Sequence, residues 1–467
     1  MSSDSLEYRF LPFQQLMQAQ GLPGIVIDTF RYHYAQLLAG ATGLIPETDI
    51  SPVDTLPDAD VFGDDLRAGG LEAIRETAVI KLNGGLGTSM GLERAKSLIR
   101  VKDGLSFLDI IARQALVQGT PLILMDSFAT RADTLEVLKQ YPELHKHQLA
   151  LDFLQHKVPK IDQRDLAPVR WPAAPQLEWS PPGHGDIYPA LVTSGMLDAL
   201  LASGYRYVFI SNADNLGAVL DPYLLGHFVS EDMPFLMEVT DRTESDSKGG
   251  HLARAAAGQL MLRESAQCPP QDMDSFQDIR RHKFFNTNNL WLNLQAFKHT
   301  LEQRNHVLGL SIIRNKKTVD PRDATSTPVY QLETAMGSAI SVFNGARAVR
   351  VPRSRFAPVK TTNDLLVIRS DAYRLTGDYR IVLDDKLAGR IPAAELDQRF
   401  YKLIDAFESR FSGGAPSLAA CTALSVTGDI SFGAGVTVQG RVALRNAGSE
   451  QVEIKAGTVI DADSSWG

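Results

Sequence analysis

The 467-residue chain is predicted to be an α/β protein that ends in a β-helix, and three features of the sequence carry that prediction. Short apolar runs (AVIKL, PLILMD, YVFIS, PFLMEV) alternate with helix-periodic stretches such as FLDIIARQALVQ and YLLGHFVS, as in β-α-β units on a buried, largely parallel sheet. The first run passes directly into a glycine-rich turn from Leu82 to Gly91. The C-terminal region repeats apolar residues every six positions.

Taken in chain order, residues 1–75 form a helical segment. LEYRFLPFQQLMQAQ and VIDTFRYHYAQLLAG carry apolar residues three and four apart, and SPVDTLPDAD after them has the composition of a linker. Residues 76–367 hold the alternating pattern and form the α/β unit. Residues 368–467 form a C-terminal domain. There Val426, Phe432, Val438 and Leu444 are six apart, and Ile430, Val436 and Val442 follow in a second register. After a short insertion Val452, Ile454, Thr458 and Ile460 resume the step. A six-residue apolar repeat is the mark of a β-helix, whose coils bury their faces against neighbouring coils; a plain β-meander is the alternative.

Composition removes several classes. Hydrophobic content of 44% excludes a mainly disordered chain. No run of 18 residues is free of charge and apolar throughout, and MSSDSLEYRF lacks a basic region followed by an apolar one, so neither a membrane span nor a classical signal peptide is expected. The two cysteines, Cys268 and Cys421, are far apart and have no CxxC or HExxH companion. That excludes a disulfide framework or cysteine zinc site and favours a cytoplasmic protein. A net charge of −8 argues against a nucleic-acid binder.

The residues that carry chemistry begin at the glycine turn. Glycines after a buried strand let backbone amides approach an anion, and Lys96 follows as a cation. The spacing matches neither GxGxxG nor GxxxxGK[ST], so neither a dehydrogenase-type dinucleotide fold nor a P-loop is supported. Asp214 follows YVFIS, at the strand end where open α/β sheets place ligands, and a carboxylate there suits Mg²⁺. An Asx turn or the cap of a helix beginning near Gly217 is the other reading of Asp214. His184 alone reads as a loop or capping histidine, and His145 and His147 have no partners at metal spacing. Lys360 stands in a loop with Arg353 and Arg355, a local positive charge on an acidic protein. Asn288 and Asn289 lie in an apolar strand-like segment, where buried amides bond either to backbone or to a ligand.

KLNGGLGTSMG with its downstream lysine resembles the nucleotide loop of the eukaryotic-type UTP–glucose-1-phosphate uridylyltransferases, the UDP-glucose pyrophosphorylases. PPGHGDIYPAL, ISNADNLGA, KGGHL, FNTNNLWLNL, QLETAMGSAI and VPRSRFAPVKTTNDLL follow in that family's order, so the likeness spans Lys81 to Leu366. The terminal repeat is similar to the family's C-terminal β-helix. One block departs: the family usually has a cysteine and a Gly-Pro pair before the lysine, where this chain has Leu92, Glu93, Arg94 and Ala95.

The resemblance implies a Rossmann-like nucleotidyltransferase domain with a mixed, mainly parallel sheet and a left-handed C-terminal β-helix. It implies that UTP and glucose 1-phosphate form UDP-glucose and pyrophosphate with Mg²⁺ as cofactor. It assigns catalysis to Lys96 and Lys360, and metal binding to Asp214. Nucleotide contacts fall on Leu82, Asn83, Gly84, Gly85, Gln155, Gly183, Asp214 and Lys248, with Gln155 and Gly183 meeting uracil. Sugar-phosphate contacts fall on His184, Asn212, Asn288 and Glu333. Such a transfer needs no protein nucleophile, because a phosphate monoester with a second pKa of about 6 is mostly dianionic at neutral pH; it needs charge cancelled and groups held in line. The rivals are a related pyrophosphorylase for N-acetylhexosamine phosphates or a broader set of sugars, whose loop typically has an arginine at the place of Ser89, and a non-catalytic nucleotide-sugar sensor. No nucleic-acid or membrane partner is expected. The open end of a coil stack favours contact with another copy, so the region after about Ser417 is expected to serve assembly or regulation rather than catalysis.

Overall fold

The computed structural model describes residues 3–466, without the side chains of residues 3–5, Ser89 and Trp466. Its centre is a ten-stranded mixed sheet. We number the strands β1 (Ile50–Pro52), β2 (Thr77–Asn83), β3 (Leu122–Asp126), β4 (Asp152–Leu154), β5 (Tyr207–Asn212), β6 (Phe235–Asp241), β7 (His251–Ala255), β8 (Leu260–Arg263), β9 (Phe284–Asn293) and β10 (Arg347–Arg350). The path runs β1-β7-β9-β5-β2-β3-β4, with β6 joining β9 to β10 and β8 beside β7. Strands β5, β2, β3 and β4 are mutually parallel, as are β6 and β10. The pairs made by β9 with β5, β6 and β7 are antiparallel.

The continuous apolar runs of β2, β3 and β5 follow from burial on both faces. Ala78, Ile80, Val208 and Ile210 point into one core, and Val79, Leu124, Tyr207 and Phe209 into the opposite one. Helix α4 (Phe107–Gln118) lies in the second core; it starts at a reciprocal Ser106–Asp109 capping box and ends at Gly119 in the left-handed conformation. Before it in the chain come α1 (Ser3–Ala19), α2 (Gly24–Leu38) and α3 (Asp64–Ala73). Helices α1 and α2 confirm the periodicity of the first segment and pack on Val158, Ile161, Ile312 and Leu332. The stretch that has the composition of a linker is built into the sheet instead: β1 pairs with β7, and Asp58 accepts two hydrogen bonds from Arg350 at 2.9 Å. Its prolines are tolerated because β1 is an edge strand.

The C-terminal part contains β11 (Ala393–Leu396), β12 (Ser417–Thr427), β13 (Ile430–Phe432), β14 (Thr437–Asn446), β15 (Val452–Ile454) and β16 (Val459–Ile460). All their pairings are parallel: β11-β12-β14-β16 in one ladder and β13-β15 in another. Val426 lies beside Leu444 and Leu424 beside Val442, three six-residue steps along the chain. The six-residue repeat is thus one side of a coil, and the buried Val426, Phe432, Val438 and Leu444 are its inward positions. A meander, which would be antiparallel, is excluded.

Candidate active site

The parallel strands β2, β3, β4 and β5 all end at one side of the sheet, and a cavity of about 340 Å³ opens there. Ten of the residues singled out by the sequence line it: Leu82, Asn83, Gly84, Gly85, Lys96, Gln155, Gly183, His184, Asn212 and Asp214. Blocks far apart in the chain, from Leu82 to Asp214, meet because parallel connections return each strand's C-terminal end to the same edge.

The glycine turn is closed by backbone bonds. Leu86 bridges Ala95, and the Lys96 amide donates to the Gly85 carbonyl at 3.1 Å. The altered residues before Lys96 therefore keep its register by main-chain pairing, and Leu92 is anchored by donating its own amide to Gly87 at 3.0 Å. Lys96 Nζ reaches Asp214 Oδ2 at 2.6 Å, joining the turn after β2 to the turn after β5. No helix begins near Gly217; the next helix, α5 (Pro222–Ser230), starts later and is capped by Asp221. The helix-cap reading of Asp214 is therefore overturned.

Gln155 follows β4, and its amide is oriented by two contacts. Nε2 donates to the Gly183 carbonyl at 3.0 Å, while Oε1 lies so near Gly84 that a Cβ there would sit 2.9 Å from it. Gly183 has φ of +81°, and a Cβ on it would fall 2.5 Å from the Thr334 carbonyl, so both backbone conformation and space require glycine. Next to it, His184 Nδ1 accepts from the Met336 amide at 3.0 Å. Burial lowers its pKa to about 4, so at neutral pH the ring is uncharged and the remaining proton is on Nε2, available as a donor. The Asn83 side chain is already occupied: Nδ2 donates to Asp126 at 2.6 Å and to Thr134 at 2.9 Å. Its Oδ1 and main chain are left for a ligand. Burial raises the Asp126 carboxyl to about 6, and the Asn83 bond to it ties the end of β2 to the end of β3.

The other four sequence candidates lie outside that cavity. Lys248 is exposed, on a turn whose carbonyls at Asp246, Ser247 and Gly249 accept from Arg242. Lys360 is exposed, with Nζ 5.9 and 5.7 Å from the Phe285 and Phe356 rings. Its loop is nevertheless attached to the Asp214 turn, since the Val359 amide donates to the Asp214 carbonyl at 3.2 Å. Asn288 sits in a bulge of β9 against β6, at φ +58°, and accepts from Asn286 at 2.9 Å. Glu333 packs its Cβ beside Gly183, and burial raises its pKa. Asn289 is wholly buried and donates to Glu238 at 3.0 Å, the protein-bonded alternative of the two readings for these amides.

Two corrections concern charge and one concerns a missed residue. Arg355 is buried against Glu238 with two bonds of 2.7 Å, and Arg353 is paired with Asp246 at 2.6 Å, so neither adds free positive charge to the Lys360 loop. Glu264, which the sequence pattern did not single out, lies against Gly250 of the Lys248 turn; burial raises its pKa to about 7 and the charge of Lys360 opposes that rise. A carboxylate directly after the short β8 leaves no recognisable spacing. Among the described residues no three His, Cys, Asp or Glu side chains gather as metal ligands, and Asp214 is the carboxylate that lines the cavity. A lone carboxylate fits Mg²⁺, which typically uses one or two carboxylates and completes its shell with phosphate oxygens and water.

Residues 27–439 match the family model described as UTP–glucose-1-phosphate uridylyltransferase. The chain is 41% identical over 406 residues to a probable UTP–glucose-1-phosphate uridylyltransferase of Schizosaccharomyces pombe, covering 84% of this chain and 78% of that one. It is 42% identical over 394 residues to the Solanum tuberosum enzyme of the same name, covering 82% and 79%. A mutant UDP-glucose pyrophosphorylase from Leishmania major superposes over 100% of both chains with a TM-score of 0.92 at 44% identity. Another mutant of it, in complex with UDP-glucose, gives 0.90 over 100% of both chains at 44% identity. Sequence and fold agree along nearly the whole length, and the chain belongs to the UTP–glucose-1-phosphate uridylyltransferase family.

Proposed function

We propose that the protein transfers the uridylyl group of UTP to α-D-glucose 1-phosphate, giving UDP-glucose and pyrophosphate reversibly. The observation that carries this reading is the junction of Gly85, Lys96 and Asp214 at the strand ends, with Gln155 held on Gly183 across the same cavity. Main-chain groups of Leu82 to Gly85 cradle the nucleotide phosphates. Gln155 and the backbone at Gly183 pair with the uracil edge, and other bases leave those groups unsatisfied.

A phosphate oxygen of the sugar attacks the α-phosphorus in line; that P–O bond forms as the bond to the bridging oxygen breaks and pyrophosphate leaves with its electron pair. Asp214 would hold Mg²⁺, which when bound would supply neutralisation of the charge that develops on the leaving group. Lys96 leaves its pairing with Asp214 to hold the phosphate oxygens, and Lys360 and Lys248 close on the anions from their neighbouring loops. The neutral His184 donates from Nε2 to the sugar phosphate, and Asn212 positions the same group. Asn288, Glu333 and the added Glu264 face the sugar hydroxyls. In this reading the C-terminal stack is a left-handed β-helix through which copies of a cytoplasmic protein associate. Light scattering of the wild type and of Thr437→Glu tests that association: a particle of monomer size for the wild type at every concentration would remove it.

The deciding assay combines UTP or ATP with Mg²⁺ and a panel of sugar 1-phosphates and follows pyrophosphate release. UTP with glucose 1-phosphate is expected to be fastest. Preference for N-acetylhexosamine phosphates, or no turnover with any pair, would overturn the reading.

A further inference from the structure

The turn that carries Asp214 has no helix to hold it, and it is held instead by the next residue. Asn215 is 2% exposed and uses every hydrogen-bonding position of its amide. Nδ2 donates to Asn289 Oδ1 at 3.2 Å and to the Arg355 carbonyl at 3.1 Å. Oδ1 accepts from the Gly217 amide at 3.2 Å and the Ala357 amide at 2.9 Å. One side chain thus bonds its own turn, strand β9 and the segment that leads to Lys360. Backbone pairing of Asn215 with Pro358 and the Val359 bond to Asp214 complete the junction.

The partners of Asn215 are themselves fixed. Glu238 accepts two bonds from Arg355, one from Trp291 Nε1 at 2.9 Å and one from Asn289 Nδ2. Beneath the other end of the turn, the buried Lys81 donates to Ser211 at 2.7 Å and to the Ala218 carbonyl at 2.6 Å. The close fit of Gly217, where a Cβ would lie 2.4 Å from the Ser354 carbonyl, presses the turn onto the same segment. No other amino acid reproduces two donors and two acceptors at this length: Asp lacks the donors, and Gln carries an extra methylene in a packed site.

We propose that Asn215 is a positioning residue that couples the Asp214 turn to the Lys360 loop, so that the carboxylate and the lysine are presented to the reacting phosphates as one unit. The proposal rests on the reading of Asp214 and Lys360 under Proposed function. Asn215 touches neither cavity nor substrate in this arrangement; its action passes through its neighbours. Misplacement of a catalytic group by about 1 Å costs roughly 10²-fold in rate, so loss of the junction is expected to appear in kcat.

The test is a double-mutant cycle on the full chain with Asn215→Ala and Lys360→Ala, measuring kcat and the KM for UTP and for glucose 1-phosphate, together with thermal melting. Asn215→Ala is expected to lower kcat about 10- to 100-fold, the range that such misplacement implies, and to change either KM less. If Asn215 works through Lys360, the double variant falls within about threefold of Lys360→Ala alone, because residues acting as a unit are non-additive. Leu225→Ala, which empties part of a buried helix position in α5, controls for stability: it is expected to melt earlier and keep kcat. Fully additive losses, or a kcat for Asn215→Ala equal to that of wild type, overturn the proposal. If Lys360→Ala is silent, the assignment of Lys360 is lost, and the same cycle with Asp214→Asn decides the role of Asn215 by the same criterion. Should Asn215→Ala fail to fold, Asn215→Ser, which keeps one acceptor and one donor, replaces it in both cycles.

Discussion

At 2.6 Å, Lys96 and Asp214 neutralise each other across the cavity, and that single pair sets what each substitution should do. In the proposed reaction substrate phosphates and a cation divide the pair between them, and the lysine gains a new partner only as the anions bind and react. Lys96→Ala is accordingly expected to lower kcat about 10²- to 10³-fold, the usual loss for one preorganised transition-state donor, with a smaller rise in KM for UTP. Steady-state kinetics decide it, and a pure KM effect would make Lys96 a uniform binding residue. Gln155 offers a second test. Its Nε2 is bonded to Gly183 and its Oε1 lies by Gly84, so the amide arrives oriented before the base does. Gln155→Ala is expected to reduce the preference for UTP over ATP about 10- to 100-fold, in line with 1–3 kcal/mol for a buried group left unpaired. An unchanged ratio of kcat/KM would remove Gln155 from base recognition.

Among the elements, strand–turn blocks are legible because their meaning is local: a buried run followed by glycines or by a polar residue places Gly84 and Asp214 at strand ends without knowledge of their partners, whereas Gln155 is reached only through the family resemblance. What depends on distant partners was not. Arg355 is neutralised by Glu238, 117 residues away, and a linear reading of the Lys360 loop sees only the arginine. The Pro- and Asp-rich stretch hides β1 because an edge strand tolerates the prolines that normally signal a linker. Gly70 inside α3 is a contact surface that the sequence pattern does not reveal: a Cβ there would fall 1.8 Å from the Pro222 carbonyl, and one at Gly226 of α5 equally close to the Leu66 carbonyl. Gly70→Ala must push α3 and α5 apart. It is expected to lower stability by about 1–3 kcal/mol, the common cost of overpacking, while activity per folded molecule is retained; chemical denaturation against wild type measures it. In α2, burial lowers His33 from 6.5 to about 4, against the opposing effect of the bond Nε2 donates to the Leu310 carbonyl. The unfolded chain therefore binds a proton that the fold does not, and this contribution to stability is lost as pH falls from about 6.5 towards 4. His33→Gln, which keeps a donor and does not titrate, is expected to show a shallower fall in stability between those limits, and an identical slope would exclude His33 as its source.

Over the whole molecule, the absence of candidate residues after Ser417 suggested a C-terminal module apart from catalysis, but the core does not divide there. Leu418, Leu424, Val426 and Ile430 of the parallel stack belong to one buried cluster with Met90 of the glycine turn, Leu216 of the Asp214 turn and Val359 next to Lys360. Leu403 also lies against Gly91, where a Cβ would come within 2.9 Å of it. All three loops that bear the proposed catalytic groups therefore share one apolar cluster with the C-terminal part, a link that spacing cannot reveal because it is carried by single side chains on otherwise unrelated segments. A chain ended at Pro416 removes that support. Each large side chain thereby left exposed forfeits about 1.5–3 kcal/mol of burial, and the losses fall on the cluster that Met90, Leu216 and Val359 share. The shortened chain is expected to lose cooperative melting of the catalytic part and turnover in parallel, with no intermediate that melts like the full chain yet fails only to associate. A truncated protein with wild-type melting and wild-type kcat would show that the shared cluster contributes nothing to the loops it underlies.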